Sequence, residues 1–161
     1  MRAKTGVGFI LSSVVDKETK FLVIEELRDN EEIFKKSGMI SFPLETMEEG
    51  ESPKETIFRL LEEELGIASH EVEISEIPGQ KFRFFPGKNI VTRYGYGFLL
   101  GDPYRAFTPK DTDIRIRGWM SIEELRGYGN VRVETLPILN HFVASYRARY
   151  IEGRLREVFF V

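Results

Sequence analysis

The chain has 161 residues, a formal net charge of −3 and no cysteine. This length suits one domain with a buried core. The lack of cysteine excludes disulfides, thiolate metal sites and cysteine nucleophiles, and the lack of a basic tail or polybasic run argues against bulk nucleic acid as a partner.

The first residues loosely resemble an export signal, because a basic start precedes an apolar run. The run over residues 5–15 contains glycines and serines, and it lacks a clear small-x-small cleavage site. We therefore interpret it as a first β-strand. No segment has enough consecutive apolar residues to span a membrane, so we expect a cytoplasmic protein.

Apolar runs and alternation predict further strands and helices along a single domain, residues 1–161. The predicted strands are 5–15, 21–27, 39–42, 72–77, 80–85, 90–100 and 114–120. Residues 80–85 and 90–100 are predicted to pair as a hairpin around the turn at 86–89. A capped short helix is predicted after Ser121, and a last helix from about 136 to 151.

The predicted strand 90–100 places two glycines, Gly95 and Gly97, opposite bulky aromatic residues. Glycines inside a strand indicate close approach by another element or a bulge. Two alternatives follow: a helix packs closely on this face of the sheet, or a ligand occupies the space.

The most informative segment is residues 50–67, which carry clear signals for both ends of a helix. Ser52 is a good N-cap, Pro53 suits the first helical position, and Glu55 completes a Ser-x-x-Glu capping box. Gly66 is placed to end the helix. These signals predict a helix from Pro53 to the residue before Gly66.

The glutamates of this helix fall on different faces. At about 100° per residue, Glu64 lies within the apolar face, Glu63 lies at its edge, and Glu62 points to solvent. A carboxylate among apolar positions is costly unless a positive charge neutralises it, and hard divalent cations take oxygen ligands. Glu63 and Glu64 together therefore predict a metal or phosphate site. The alternative is a solvated acidic face, since glutamate is a strong helix former.

The spacing resembles the signature of the Nudix family, G-x5-E-x7-R-E-U-x-E-E-x-G-U, in which U is aliphatic. The matching residues are Glu51, Arg59, Leu61, Glu63, Glu64, Gly66 and Ile67. The resemblance implies the Nudix fold, an α/β (α+β) domain in which a mixed β-sheet is sandwiched between helices, with the signature segment at residues 45–67.

Two positions depart from this signature. The opening glycine is Glu45, and the glutamate after the arginine is Leu60. In the family that glutamate helps to ligate the catalytic metal, and leucine can neither bind a metal nor accept a proton. We expect Leu60 to extend the apolar stripe of the helix, and we expect Glu45 to alter the loop that enters it.

The resemblance implies a divalent-metal-dependent pyrophosphohydrolase that uses Mg²⁺ or Mn²⁺ and cleaves a nucleoside diphosphate linked to another group. Glu63, Glu64 and Arg59 are the implied catalytic residues. Glu63, Glu64 and Glu51 are the implied metal ligands, and Glu51 would alternatively brace the loop. The departures leave a second hypothesis, a non-catalytic Nudix domain that binds a nucleotide-like ligand or a protein partner.

Residues outside the signature supply candidates for the remaining base and for substrate contacts. Asp111 and Asp113 are candidates for a base or ligand, with a solvated turn as the alternative. Basic and aromatic residues near the hairpin are candidates to contact phosphates or a base, with solvation or core packing as the alternative: Lys81, Arg83, Phe85, Lys88, Arg93, Tyr94 and Tyr96. Of these, Arg83, Arg93, Tyr94 and Asp113 are the predicted substrate-binding set. Residues 154–161 are predicted to add a strand or a contact between subunits, as in a homodimer.

Overall fold

The computed structural model describes residues 3–151, with side chains described through residue 145. The strands are β1 (Lys4–Val15), β2 (Glu18–Glu26), β3 (Ile40–Ser41), β4 (Leu44–Thr46), β5 (Val72–Glu76), β6 (Ile90–Leu99) and β7 (Ile114–Met120). The helices are α1 (Pro53–Leu60), which continues as a π-helical turn (Leu61–Leu65), α2 (Ile122–Tyr128) and α3 (Thr135–Ile151). The predicted contribution of residues 154–161 lies outside the described residues.

The strands form one mixed sheet. Its main path runs in the order β3-β2-β1-β6-β5, with β4 paired to β1 and β7 paired to β2. The β1–β6 pairing is parallel, and the other pairings are antiparallel. Successive side chains of a strand point to opposite faces, so β1 supplies Phe9 to one face and Ile10 to the other.

Helices cover both faces of this sheet. On one face α1 and the π-helical turn bury Ile57, Leu60 and Leu65 in a core that includes Phe9. On the other face α3 buries Phe142 and its apolar neighbours against residues of β1, β2 and β6. The arrangement confirms the expected α/β (α+β) fold with a mixed sheet sandwiched between helices.

A helix approaches Gly95 closely and a neighbouring strand approaches Gly97, as the glycines of β6 predicted. A Cβ atom on Gly95 would lie 2.7 Å from Cδ1 of Ile57 in α1 and 3.2 Å from Cδ1 of Phe9. A Cβ atom on Gly97 would lie 2.2 Å from the carbonyl oxygen of Glu73 in β5. Helix packing, rather than space for a ligand, therefore accounts for Gly95.

The predicted hairpin is formed only in part. Residues 90–99 are a strand as predicted, but residues 80–85 contribute one isolated bridge, between Phe82 and Thr92. The reason lies in the sheet, since β1 covers one edge of β6 and β5 covers the other edge from Tyr96 onward. Only a short stretch of edge is left for residues 80–85. Within the described residues, no helix combines the length and apolar character that a membrane span requires.

Candidate functional site

The signature helix begins as predicted. Ser52 Oγ accepts a hydrogen bond from the Glu55 N–H at 3.1 Å, and Glu55 Oε1 accepts one from the Ser52 N–H at 3.2 Å, which completes the capping box. The helix then departs from the regular period, because its last turn, Leu61–Leu65, is π-helical. Single π-helical turns are frequent at functional sites, and this one carries the glutamate pair.

The end of the helix positions the loop that carries Asp111. Gly66 has a positive φ of 67°, and a Cβ atom there would lie 2.2 Å from the carbonyl oxygen of Thr108. The carbonyl oxygen of Glu63 accepts hydrogen bonds from the N–H groups of Lys110 (2.8 Å) and Asp111 (3.0 Å). The loop is thus held by backbone contacts against the last turn of the helix.

Arg59 and Glu51 together brace the loop before the helix. Glu51 accepts hydrogen bonds from Arg59 Nε (2.9 Å), Arg59 Nη2 (3.0 Å), the Thr56 hydroxyl (2.7 Å) and the Glu48 N–H (3.0 Å). Arg59 Nη2 also donates to the carbonyl oxygen of Thr46 at 2.8 Å. These contacts, the Arg59 hydrogen bond foremost, lower the pKa of Glu51 to about 2. Both oxygens of Glu51 have partners, so its role as a metal ligand stays a prediction.

The substitution Glu51→Gln is expected to lower the free energy of unfolding by about 1–3 kcal/mol at neutral pH, because it removes a charge-assisted pair with Arg59. The folded pKa of Glu51 is depressed from 4.5 to about 2. Its contribution is therefore present above pH 4.5 and is lost as the pH falls toward 2. Urea denaturation at about pH 7 and about pH 3 measures this loss. The exposed Glu49→Gln is the control, and a difference that does not shrink at the lower pH would contradict the assignment.

Glu64 occupies a different environment from the rest of the signature. Its side chain is buried, with 4% of the residue exposed, and its Oε2 atom has no hydrogen-bond partner among the described residues. Burial raises its pKa well above the ordinary value, and the charges of Glu45, Glu26 and Asp111 raise it further. A buried carboxylate without a partner is unfavourable, so this position is one where a cation would relieve an electrostatic cost.

Glu63 and Leu60, the other two positions of the helix discussed above, do not line the cavity that Glu64 lines. Glu63 Oε2 is 3.5 Å from Arg59 Nη1, on the side of the helix that faces the braced loop. Leu60 is fully buried in the apolar core between α1 and the sheet, which confirms that it extends the apolar stripe.

Glu64 lines a cavity of about 310 Å³. Its wall contains charges of both signs together with apolar side chains. The acidic residues are Glu26, Glu32, Glu45, Glu64, Asp111 and Asp113, and the basic residues are Lys4, Lys35, Lys88 and Arg132. Such a lining suits a ligand that carries both anionic groups and bound cations.

The predicted substrate-binding residues are dispersed. Asp113 lines the cavity together with Asp111. Arg93 donates hydrogen bonds to the backbone carbonyl of residue 78, at 3.0 and 3.2 Å. Arg83 is exposed. Tyr94 is 2% exposed in the core beneath α3, and its burial raises its pKa. Asp113 is thus the member of this set that lines the cavity, and the roles of the others in binding stay predictions.

A buried ion network forms part of the same wall, and no sequence pattern pointed to it. Arg132 Nη1 donates to Glu26 Oε1 at 3.1 Å, and Arg132 Nε lies 3.0 Å from Glu134 Oε1. Lys35 Nζ lies 3.3 Å from Glu26 Oε2. The two ends of the Glu26–Arg132 bond are 106 positions apart in the chain, so local periodicity could not bring them together.

The predicted metal ligands do not converge on one point. Glu64 lines the cavity, whereas Glu51 and Glu63 contact Arg59. In the part of the chain that the structure describes, no three histidine or acidic side chains are placed closely enough to hold a metal ion. The oxygen donors of the cavity nevertheless suit Mg²⁺ or Mn²⁺ in type.

The protein is an α/β domain in which a capped, glutamate-rich helix packs on a mixed sheet beside a polar cavity. The NUDIX domain model matches residues 4–159. The chain therefore belongs to the Nudix domain family. No curated protein matches its sequence significantly.

Several solved structures share the fold. The NUDIX domain of Shewanella oneidensis NrtR, complexed with ADP ribose, is 16% identical with a TM-score of 0.68, over 91% of this chain and 89% of that one. A Caenorhabditis elegans Ap4A hydrolase is 13% identical with a TM-score of 0.63, over 88% and 98%. A mutT/nudix family protein from Listeria innocua is 18% identical with a TM-score of 0.64, over 94% and 98%. At these identities the likeness establishes the fold alone.

Proposed function

We propose that this protein is a divalent-metal-dependent pyrophosphohydrolase that acts on a nucleoside diphosphate linked to another group, with activity altered by the loss of a ligand at Leu60. The observation that carries the proposal is Glu64, a buried carboxylate in the wall of a polar cavity, one oxygen of which has no partner within the described part of the chain. A bound Mg²⁺ or Mn²⁺ would neutralise phosphate charge and activate water there.

Different side chains of the cavity would bind different parts of this substrate. Lys4 and Lys88 line it and supply positive charge for phosphate oxygens, while the buried ring of Phe85 supplies an apolar surface for a base. Asp111 lies in the loop held by the helix end, where its carboxylate could orient the attacking water. Arg59 acts indirectly, since it fixes the position of Glu63 and of the loop through Glu51.

The structural neighbours support this choice of substrate class. One is a NUDIX domain complexed with ADP ribose, and another is an Ap4A hydrolase. Both named compounds contain a phosphoric anhydride that joins a nucleoside to another group. A small nucleoside diphosphate derivative is therefore the partner that we propose for the cavity.

A second candidate is a non-catalytic domain that binds the same class of ligand. It is favoured by Leu60, which is fully buried in the core where the family has a metal ligand, and by Glu51, whose oxygens are hydrogen-bonded to Arg59 and its neighbours. Under this hypothesis the cavity binds a nucleotide-like compound and does not cleave it.

Turnover measurements on matched glutamate variants separate the two candidates. The purified protein is incubated with Mg²⁺ or Mn²⁺ and a panel that contains ADP-ribose and diadenosine tetraphosphate. Glu64→Gln is expected to reduce a measurable wild-type rate by at least about 100-fold, since metal-assisted stabilisation is worth several kcal/mol. Glu62→Gln is the control, because Glu62 is an exposed neighbour in the same turn that pairs with Lys110.

The outcomes are distinct. Loss of activity in Glu64→Gln, with the rate kept in Glu62→Gln, supports hydrolysis at this site. Saturable binding of a panel compound by calorimetry, without turnover by the wild type, rejects the hydrolase and supports the binding domain. Leu60→Glu is a poor diagnostic, because it would place a carboxylate at a position with no exposure in the apolar core.

A further inference from the structure

The signature helix lacks one carboxylate at Leu60, and the chain gains one at Glu45. Glu45 lies in β4, which pairs with β1 at Val7, and its side chain lines the same cavity as Glu64. Leu60 itself is buried in the apolar core and does not line this cavity. The signature helix therefore has one carboxylate fewer than the family pattern, and the neighbouring strand places one more in the cavity wall.

We propose that Glu45, Glu64 and Asp111 form a relocated cation site for Mg²⁺ or Mn²⁺, in which Glu45 replaces the ligand that is absent at Leu60. All three residues line the cavity. Glu64 is the anchor, since its Oε2 atom is buried and has no hydrogen-bond partner among the residues that the structure describes. A buried carboxylate without a partner is stabilised by binding a cation or a proton. The oxygen donors beside it favour a hard divalent ion.

The electrostatics of the three residues are coupled. Burial raises the pKa of Glu45, and the charges of Glu63 and Asp111 also raise it. Burial raises the pKa of Glu64, the charges of Glu45, Glu26 and Asp111 raise it further, and the charge of Arg132 lowers it. These carboxylates therefore destabilise one another when ionised. A divalent cation between them would convert this repulsion into attraction.

As placed among the described residues, the three side chains are not close enough to hold one ion, so they must move to share it. Glu45 Oε1 lies 3.7 Å from Arg59 Nη1 and accepts a hydrogen bond from the Thr46 N–H at 3.3 Å. Its release from Arg59 costs little, because Glu51 keeps both of its hydrogen bonds to the guanidinium. Mg²⁺ usually retains several waters, so water ligands can complete the coordination sphere. The inference rests on the proposed function for its metal, but it makes a separate claim about which residues bind it.

Binding of Mn²⁺ alone, followed by calorimetry and by electron paramagnetic resonance, tests the site without any substrate. Glu45→Gln and Glu64→Gln are each expected to weaken Mn²⁺ binding at least about tenfold, as loss of a charged oxygen ligand should. Glu48→Gln is the matched control. Glu48 lies 3.9 Å from the same Arg59 nitrogen, and its side chain is 70% exposed. Circular dichroism confirms that each variant is folded.

The results decide between the relocated site and the family arrangement. Tight Mn²⁺ binding by Glu45→Gln, with weak binding by Glu63→Gln, would place the ion on the helix glutamates and overturn the proposal. Absence of Mn²⁺ binding by the wild type would overturn it as well. Binding that depends on Glu45 in a protein that hydrolyses nothing would reject the hydrolase and leave the cation site standing.

Discussion

Replacing Arg132 with methionine is expected to lower the free energy of unfolding by about 3–5 kcal/mol, which is the usual cost of leaving a buried charge without its partner. Arg132 is 4% exposed and lies between two carboxylates, Glu26 at 2% and Glu134 at 1%. Lys35 remains to pair with Glu26, but Glu134 loses its ion pair. Urea denaturation at neutral pH measures the loss. The exposed Arg126→Met, which removes hydrogen bonds to Asn140, is the control.

The loss of stability caused by Arg132→Met should also depend on pH in a defined direction. Burial raises the pKa of Glu134, and Arg132 opposes this rise. Without the arginine the folded pKa moves further above the unfolded value, so the variant loses stability as the pH rises through that interval. The difference between wild type and variant should therefore be larger at about pH 8 than at about pH 5. An equal difference at both values would show that lost packing, rather than an uncompensated charge, explains the destabilisation.

Local signals in the sequence predicted the elements that lie around the site. Ser52, Glu55 and Gly66 specify where the signature helix starts and stops, because capping depends on residues a few positions apart. The alternating faces of β6 are equally local. These signals, with the family spacing, were sufficient to predict the helix, most strands of the sheet and the burial of Leu60, but not β4 or the single bridge of residues 80–85.

The composition of the cavity depended on contacts that no local pattern encodes. Glu26 meets Arg132 only because β2 and the segment before α3 are brought together by the sheet. Glu45 lines the cavity because β4 pairs with β1, and Tyr94 is buried in the core because Gly8 of β1 leaves room for its ring. The π-helical turn likewise changes the angular positions that a regular period of 3.6 assigns to Glu63 and Glu64.

Gly66→Ala is expected to destabilise the protein by about 2–5 kcal/mol, from two effects that act together. The positive φ costs a non-glycine residue about 1–2 kcal/mol, and forcing an extra carbon into a filled space costs about 1–3 kcal/mol. The added Cβ would lie 2.2 Å from the carbonyl oxygen of Thr108. Backbone cannot move aside as a flexible side chain can, so the loop from Thr108 to Asp111 must shift. Chemical denaturation measures the total.

Two other glycines divide this cost into its parts. Gly50 has a φ of 80° and Gly79 has no positive φ, and a Cβ atom on either would meet none of the described atoms within 4 Å. Gly50→Ala should therefore show the conformational cost alone, and Gly79→Ala should be nearly neutral. If the contact with Thr108 holds the loop in place, Gly66→Ala exceeds Gly50→Ala in destabilisation and also weakens Mn²⁺ binding through displacement of Asp111. Equal effects of Gly66→Ala and Gly50→Ala on stability, with unchanged Mn²⁺ binding, would show that the helix end does not position this loop.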